Sequence, residues 1–240
     1  MKAKNLLFFL MVFAAASMHA EELPEWYTPL RDAVYSQILS SREIAGIYTA
    51  TRERAEKELQ GTALSVMFSR CEYMMGRSLV YEEKKDEARA YFERGFDYAQ
   101  ESLDRQPSPE GWQMLSENIS WLCTLRSTAW VMANGTKVEK YAKNALELDP
   151  GNTAAHYLIA ARYVYAPAPF HNYRRGIRMM SAIIDDFNYR LHRDDRFNVY
   201  SSIGYALNQQ KKYEDAKTWF VKALEIYPDN KYVRGLLAKL

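Results

Sequence analysis

Residues 197–230 read FNVYSSIGYALNQQKKYEDAKTWFVKALEIYPDN, and this stretch constrains the fold more than any other. Tyr200, Ile203, Gly204 and Leu207 recur at i, i+3, i+4 and i+7, which is one face of a 3.6-residue period. Tyr213, Ala216, Phe220, Ala223 and Leu224 do the same after a short polar turn, and Pro228 ends the second run. Gly204 and Ala216 carry almost no side chain, so two helices can approach to the close end of the roughly 8–10 Å helix spacing, with Phe220 filling the space beside them.

The same ruler finds further copies upstream. From Ser69 to about Gln100, Met75, Gly76 and Leu79 are followed by Ala88, Phe92 and Gly95, with a second helix running about two turns long. No proline stops it before Pro107 and Pro109, which makes Gln106 to Glu110 the candidate hinge. A degenerate copy spans 119–152, with Leu122, Leu125 and ALELDPGN in place, but with Arg126 and Val138 at the small positions and Asn134-Gly135 as its turn. A fourth copy, 153–190, needs four extra residues between its helices, at Ala166 to Pro169. These prolines stiffen an inserted loop whose Phe170 is either a functional lip or, the favoured expectation, a plug folded onto the groove edge.

These residues resemble the tetratricopeptide repeat (TPR) family, whose period is about 34 residues. Tyr200 stands at the aromatic position, Ile203-Gly204 at the Leu-Gly pair, and Ala216, Phe220, Ala223 and Pro228 at the rest; Leu207 departs, standing where the family usually has Tyr. The resemblance implies an all-α, right-handed TPR helical solenoid with repeats at about 69–105, 119–152, 153–190 and 197–230. Capping helices are expected at 24–60 and 231–240, the whole of 21–240 forming one domain. Trp26, Leu30, Val34 and Ile38 mark the first cap helix, and the capping box Ser40-Ser41-Arg42-Glu43 starts the next at Ser41.

Lys2 and Lys4 precede an apolar run from Leu6 to Ala16 that ends in small residues, the layout of a secretory signal peptide cleaved after 16 or 20. The run is too short to span a bilayer, and no cysteine lies near it for lipid attachment. The expectation is an exported protein, periplasmic or secreted, with no membrane span after cleavage. Lys+Arg number 32 against 30 Asp+Glu, and removing residues 1–20 takes two lysines, so the remainder is formally neutral. Without a basic stripe, nucleic acid is an unfit partner.

Reactive chemistry is sparse. His156, His171 and His192 stand in no metal-ligand spacing, and there is no phosphate-binding glycine loop or nucleophile elbow. Asp185-Asp186 and Asp194-Asp195 are adjacent pairs whose side chains diverge, as helix-end charges do. His156 reads as a satisfied packing residue and His192 as solvated. No cofactor, metal or catalytic residue is expected. Cys71 and Cys123 are even in number, yet occupy places of differing direction, so two buried thiols are favoured over a bridge.

In TPR proteins the first helix of each pair lines a concave groove. Carried onto this chain residue by residue, the family's groove places imply a surface of Tyr73, Arg77, Tyr81, Trp130, Tyr157, Tyr165, Tyr205 and Asn208. Aromatic side chains with a polar tip suit recognition, and Trp130 with Tyr157 would form its centre, Arg77 and Asn208 fixing orientation by hydrogen bonds. The implied function is a non-catalytic interaction module holding a segment of a partner protein. The alternative is a transport accessory taking an apolar small molecule, since Glu93 to Ala99 followed by Trp121 is loosely similar to TatT-like TPR proteins of periplasmic TRAP-type uptake systems.

Overall fold

A computed structural model describes residues 23–240, so the expected signal peptide lies outside the described residues. The described chain is helical, and no strand occurs among its residues. After a 3-10 turn at Glu25–Tyr27 come α1 (Thr28–Ser36) and α2 (Ser41–Glu58). Four antiparallel pairs follow: α3 (Gly61–Tyr81) with α4 (Lys85–Arg105), α5 (Pro109–Leu125) with α7 (Thr136–Leu148), α8 (Thr153–Tyr165) with α9 (Tyr173–Phe187), and α10 (Arg193–Gln209) with α11 (Tyr213–Ile226). The short α6 (Thr128–Asn134) intervenes in the second pair, and α12 (Lys231–Leu237) closes the chain.

The first and last pairs are built to one plan. A Cβ on Gly76 would lie 2.8 Å from Phe92 Cε1, and one on Gly204 would lie 2.6 Å from Phe220 Cδ1. In each pair the missing side chain is what lets a fully buried ring enter between two backbones. The turns match too: Glu83 and Lys211 are left-handed, at φ 62° and 60°, and the next amide, of Lys84 or Lys212, returns 3.0 Å to the carbonyl of Leu79 or Leu207. At Gly95, Ser69 Oγ donates 2.6 Å to the glycine carbonyl and Asn118 Nδ2 donates 3.0 Å to Ser69, so α3, α4 and α5 meet where only glycine fits.

Glu72, 1% exposed, ties α2, α3 and α4. It accepts from the Tyr48 hydroxyl, from Arg52, and from Arg94 Nε at 3.0 Å. A buried carboxylate is tolerable only when its oxygens are filled in this way. Ser40 caps α2 with the reciprocal Glu43 bond expected of a capping box.

Two expectations are corrected. The first helix of the second pair starts at Pro109, after the N-cap Ser108, and breaks at Arg126, so that copy is not the 34-residue unit 119–152. Residues 106–110 connect α4 to α5, and directly after them a Cβ on Gly111 would lie 2.8 Å from Leu103. Phe170 is 59% exposed and plugs nothing. The third pair, α8 with α9, does carry the inserted loop between Tyr165 and Tyr173. Cys71 is buried and Cys123 half-buried, both as free thiols.

Candidate binding surface on the concave face

The inner helices of the four pairs, α3, α5, α8 and α10, turn one face inward, and α1 lies against that face rather than capping the solenoid's end. Tyr27, Leu30, Val34 and Tyr35 are each 2% exposed or less, which for side chains of this kind stabilises by about 1.5–3 kcal/mol apiece. Tyr35 stacks on Tyr227 at 5.2 Å and meets Phe197 edge-on at 5.6 Å. Its carbonyl accepts from Asn230 Nδ2 at 2.7 Å. Asp32 accepts from the Tyr227 hydroxyl and from Arg193, each at 2.8 Å, while Arg31 lies 3.7 Å from Asp194. One short helix thereby joins the first inner helix to the last. The helix stops at Ser36 because Gln37 is left-handed (φ 57°), which leaves Ile38 62% exposed instead of on the apolar face.

Beneath α1 sits Arg77. It donates to the hydroxyls of Tyr35 and Tyr73, and Nη2 donates 2.6 Å to Tyr81. Its guanidinium lies 4.1 Å from the Tyr35 ring centre and 5.5 Å from that of Trp121. Beside α1 the surface continues as tyrosines. The hydroxyls of Tyr157 and Tyr165 share Ser202 Oγ at 3.1 and 2.9 Å, and Tyr165 packs on Tyr205 at 5.2 Å. Tyr165 is 46% exposed and Tyr232 44%, so their rings are open to a ligand. Burial of the hydroxyl ends nonetheless raises both phenols well above their ordinary value, as expected in a concavity with other phenols close by.

A partly open cavity of about 60 Å³ lies between the turn preceding α1 and the inner helices, with room for a few water molecules. Gln113, Glu117, Arg190, Asp194 and Asp195 line part of it. Burial, then the neighbouring Asp194 and Glu117, pushes Asp195 well above the usual carboxylate range; its Oδ2 accepts from Thr153 at 2.9 Å. Burial raises Glu117 as well, although Gln113 donates to it at 2.7 Å. His192 lines this cavity instead of standing in solvent, whereas His156 is the packing residue expected, stacked 4.9 Å from Phe187 and bonded to the Pro150 carbonyl. Among the described residues no three His, Cys, Asp or Glu side chains group to hold a metal ion, and no helix is long and apolar enough to cross a membrane.

Of the expected surface, Tyr73, Arg77, Tyr81, Tyr157, Tyr165 and Tyr205 come together, Tyr73 and Arg77 being buried beneath α1 rather than open. Trp130 does not join them: it sits on α6, past the break in the inner helix, with Arg126 5.7 Å from its ring. Asn208 lies in the last turn of α10, where its carbonyl accepts from Lys211 at 2.8 Å. Trp121 holds the position given to Trp130. The signal for it was present, because Gln113, Glu117 and Trp121 recur every four residues once a helix is started at Ser108-Pro109. Tyr35 was legible as well: Trp26, Tyr27, Leu30, Val34 and Tyr35 spread wider than the single apolar stripe of an end cap.

Stacked antiparallel pairs with small and aromatic residues in register define a tetratricopeptide-repeat scaffold, a fold that serves protein interaction. A Tetratricopeptide repeat model matches residues 197–230. The chain belongs to the family described as Regulator of microtubule dynamics protein 1-3, whose model matches residues 32–185. No curated protein matches the chain. Among solved structures, YrrB, described as a TPR protein with an unusual peptide-binding site, is 15% identical with a TM-score of 0.40, over 90% of this chain and 99% of its own.

Proposed function

We propose that this protein is a non-catalytic adaptor that binds a segment of a partner polypeptide on the tyrosine-lined concave surface beside α1. The observation that carries the reading is α1 itself, since the concave face already accepts an amphipathic helix through apolar and tyrosine contacts. The uncovered part offers the same chemistry in Tyr81, Tyr157, Tyr165, Tyr205 and Tyr232. Tyrosine supplies large contact area at low entropy cost. The family description, regulation of microtubule dynamics, names a role of the kind that protein contacts perform. The sequence pattern of residues 1–20 supports export, which would make the partner a periplasmic, envelope or secreted component. Fractionation of the expressing cell tests that part, and a chain retained whole in the cytoplasm overturns it. An apolar small molecule is the weaker reading, because the cavity beside the inner helices is small and several charged groups line it.

Selection of displayed random peptides on the full chain tests the binding. Wild type is expected to enrich a family of sequences, and Tyr157→Ala/Tyr205→Ala, with unchanged circular dichroism, to lose them. A folded double variant that still enriches the same peptides overturns the proposal.

A further inference from the structure

The third pair carries an edge of one charge sign. Residues 150–184 hold four arginines and no aspartate or glutamate, although Asp and Glu make up 30 of the chain's 240 residues. Arg174, Arg175 and Arg178 are exposed near the start of α9 and belong to none of the ion pairs among the described residues. The fourth, Arg162, pairs with Glu139 of α7, whose charge Lys143 also meets at 2.8 Å. The three face outward because α9 buries Gly176, Met180 and Ile183, and a Cβ on Gly176 would stand 2.6 Å from Val164 Cγ2 of α8. Arg174 with Arg178 and Arg175 with Arg178 are like charges at i,i+4 and i,i+3, which costs stability unless something anionic covers them. Just before these arginines stands an apolar tip. Residues 166–170 are Ala-Pro-Ala-Pro-Phe, the last four exposed and Phe170 59% so. The tip is held in place: the Phe170 amide donates 2.8 Å to the Pro167 carbonyl, and the Asn172 amide donates 2.7 Å to that of Tyr163. Asn172 Oδ1 accepts from the Arg175 amide at 3.0 Å, and the Arg175 guanidinium lies 4.2 Å from the Tyr163 ring centre.

We infer that this edge docks on an anionic lipid bilayer, with Phe170 and its two prolines entering the boundary between headgroups and acyl chains while Arg174, Arg175 and Arg178 meet lipid phosphates. The order of the chemistry favours a bilayer. A membrane presents anions outermost and hydrocarbon beneath, and the protein presents an apolar loop backed by cations in the first two turns of the helix that follows, so one approach satisfies both. A soluble acidic polypeptide would meet the arginines but leave Phe170 exposed unless it also supplied an apolar pocket for it. Among the described residues no helix is long and apolar enough to cross a membrane, so the attachment is to its surface. This edge lies outside the set of tyrosines proposed to hold a partner segment, and lipid docking would bring that segment to a membrane.

The test is sedimentation of the full chain with vesicles of phosphatidylcholine alone, and of phosphatidylcholine and phosphatidylglycerol in equal parts, at physiological ionic strength. Wild type is expected to bind the mixed vesicles and to be released by added salt. Each arginine near an anionic surface is worth about fivefold, so Arg174→Gln/Arg175→Gln/Arg178→Gln should weaken binding roughly a hundredfold. Phe170→Ser should weaken it at least about tenfold with the arginines intact. All four positions are exposed, and unchanged circular dichroism confirms that the variants fold. The Tyr157→Ala/Tyr205→Ala variant should bind vesicles as wild type does, and the arginine variant should still enrich the same peptides, so the two surfaces fail separately. No binding to the mixed vesicles, or binding that the arginine variant leaves unchanged, overturns the proposal. Binding unaffected by Phe170→Ser overturns insertion of the tip. Arginine-dependent binding to soluble poly-glutamate, with none to vesicles, overturns the lipid in favour of an acidic polypeptide.

Discussion

Replacing Gly204 by alanine places a methyl group 2.6 Å from Phe220 Cδ1 and 2.7 Å from Cε1. Ordinary contact begins at 3.4 Å, so the ring must retreat by roughly 0.8 Å. Phe220 is 0% exposed and packed between α10 and α11, so it has nowhere to go without moving a helix. Overpacking of this kind costs about 1–3 kcal/mol, against a gain of about 1 kcal/mol from alanine's higher helix propensity. Gly46, in α2, is the internal control: nothing lies within 4 Å of its Cβ position, so Gly46→Ala should show the gain alone. The two variants should therefore differ by about 1–3 kcal/mol in urea unfolding, or at least roughly 2 °C in melting temperature. Gly204→Leu should be worse than Gly204→Ala, and Phe220→Leu should lessen the penalty in a double-mutant cycle. If Gly204→Ala stabilises as much as Gly46→Ala, the close approach of the two helices is wrong, and with it the repeat register.

Asp195 should make stability fall as pH rises. Its folded pKa is raised above the unfolded value, so the folded state holds a proton that the unfolded chain has released; the penalty is absent below the unfolded pKa, near 4, and grows until the folded pKa is passed. Asp195→Asn should accordingly stabilise relative to wild type at pH 8 and lose that advantage near pH 4; a gap that is constant with pH would refute the assignment. Burial pushes the Cys71 thiol up to about 12, so alkylation by iodoacetamide at pH 8 should wait for unfolding, and unreduced protein should show two free thiols by mass; a bridge or rapid labelling of Cys71 in the native state would contradict the packing.

The sequence by itself determined the helix pairs. Gly76 with Phe92 and Gly204 with Phe220 each lie sixteen residues apart in pairs built on helical period and a short turn, and such contacts are legible because both partners sit in one local pattern. The tyrosines at the inner places of α3, α8 and α10 followed from the same register. In the second pair the register failed, because the break at Arg126 and the added α6 shift the inner face without changing hydrophobic content, and Trp130 was placed where Trp121 stands. What the tertiary structure alone decided is where α1 goes and which groups surround Arg77. The bond from Tyr227 to Asp32 and that from Asn230 to the Tyr35 carbonyl each span 195 residues. Such contacts depend on how the small rotation of each repeat accumulates until the last inner helix returns to the first, and no local pattern encodes that sum. The bond from Arg77 to the Tyr35 hydroxyl, across 42 residues, is decided in the same way, by the packing of α1 on the inner helices.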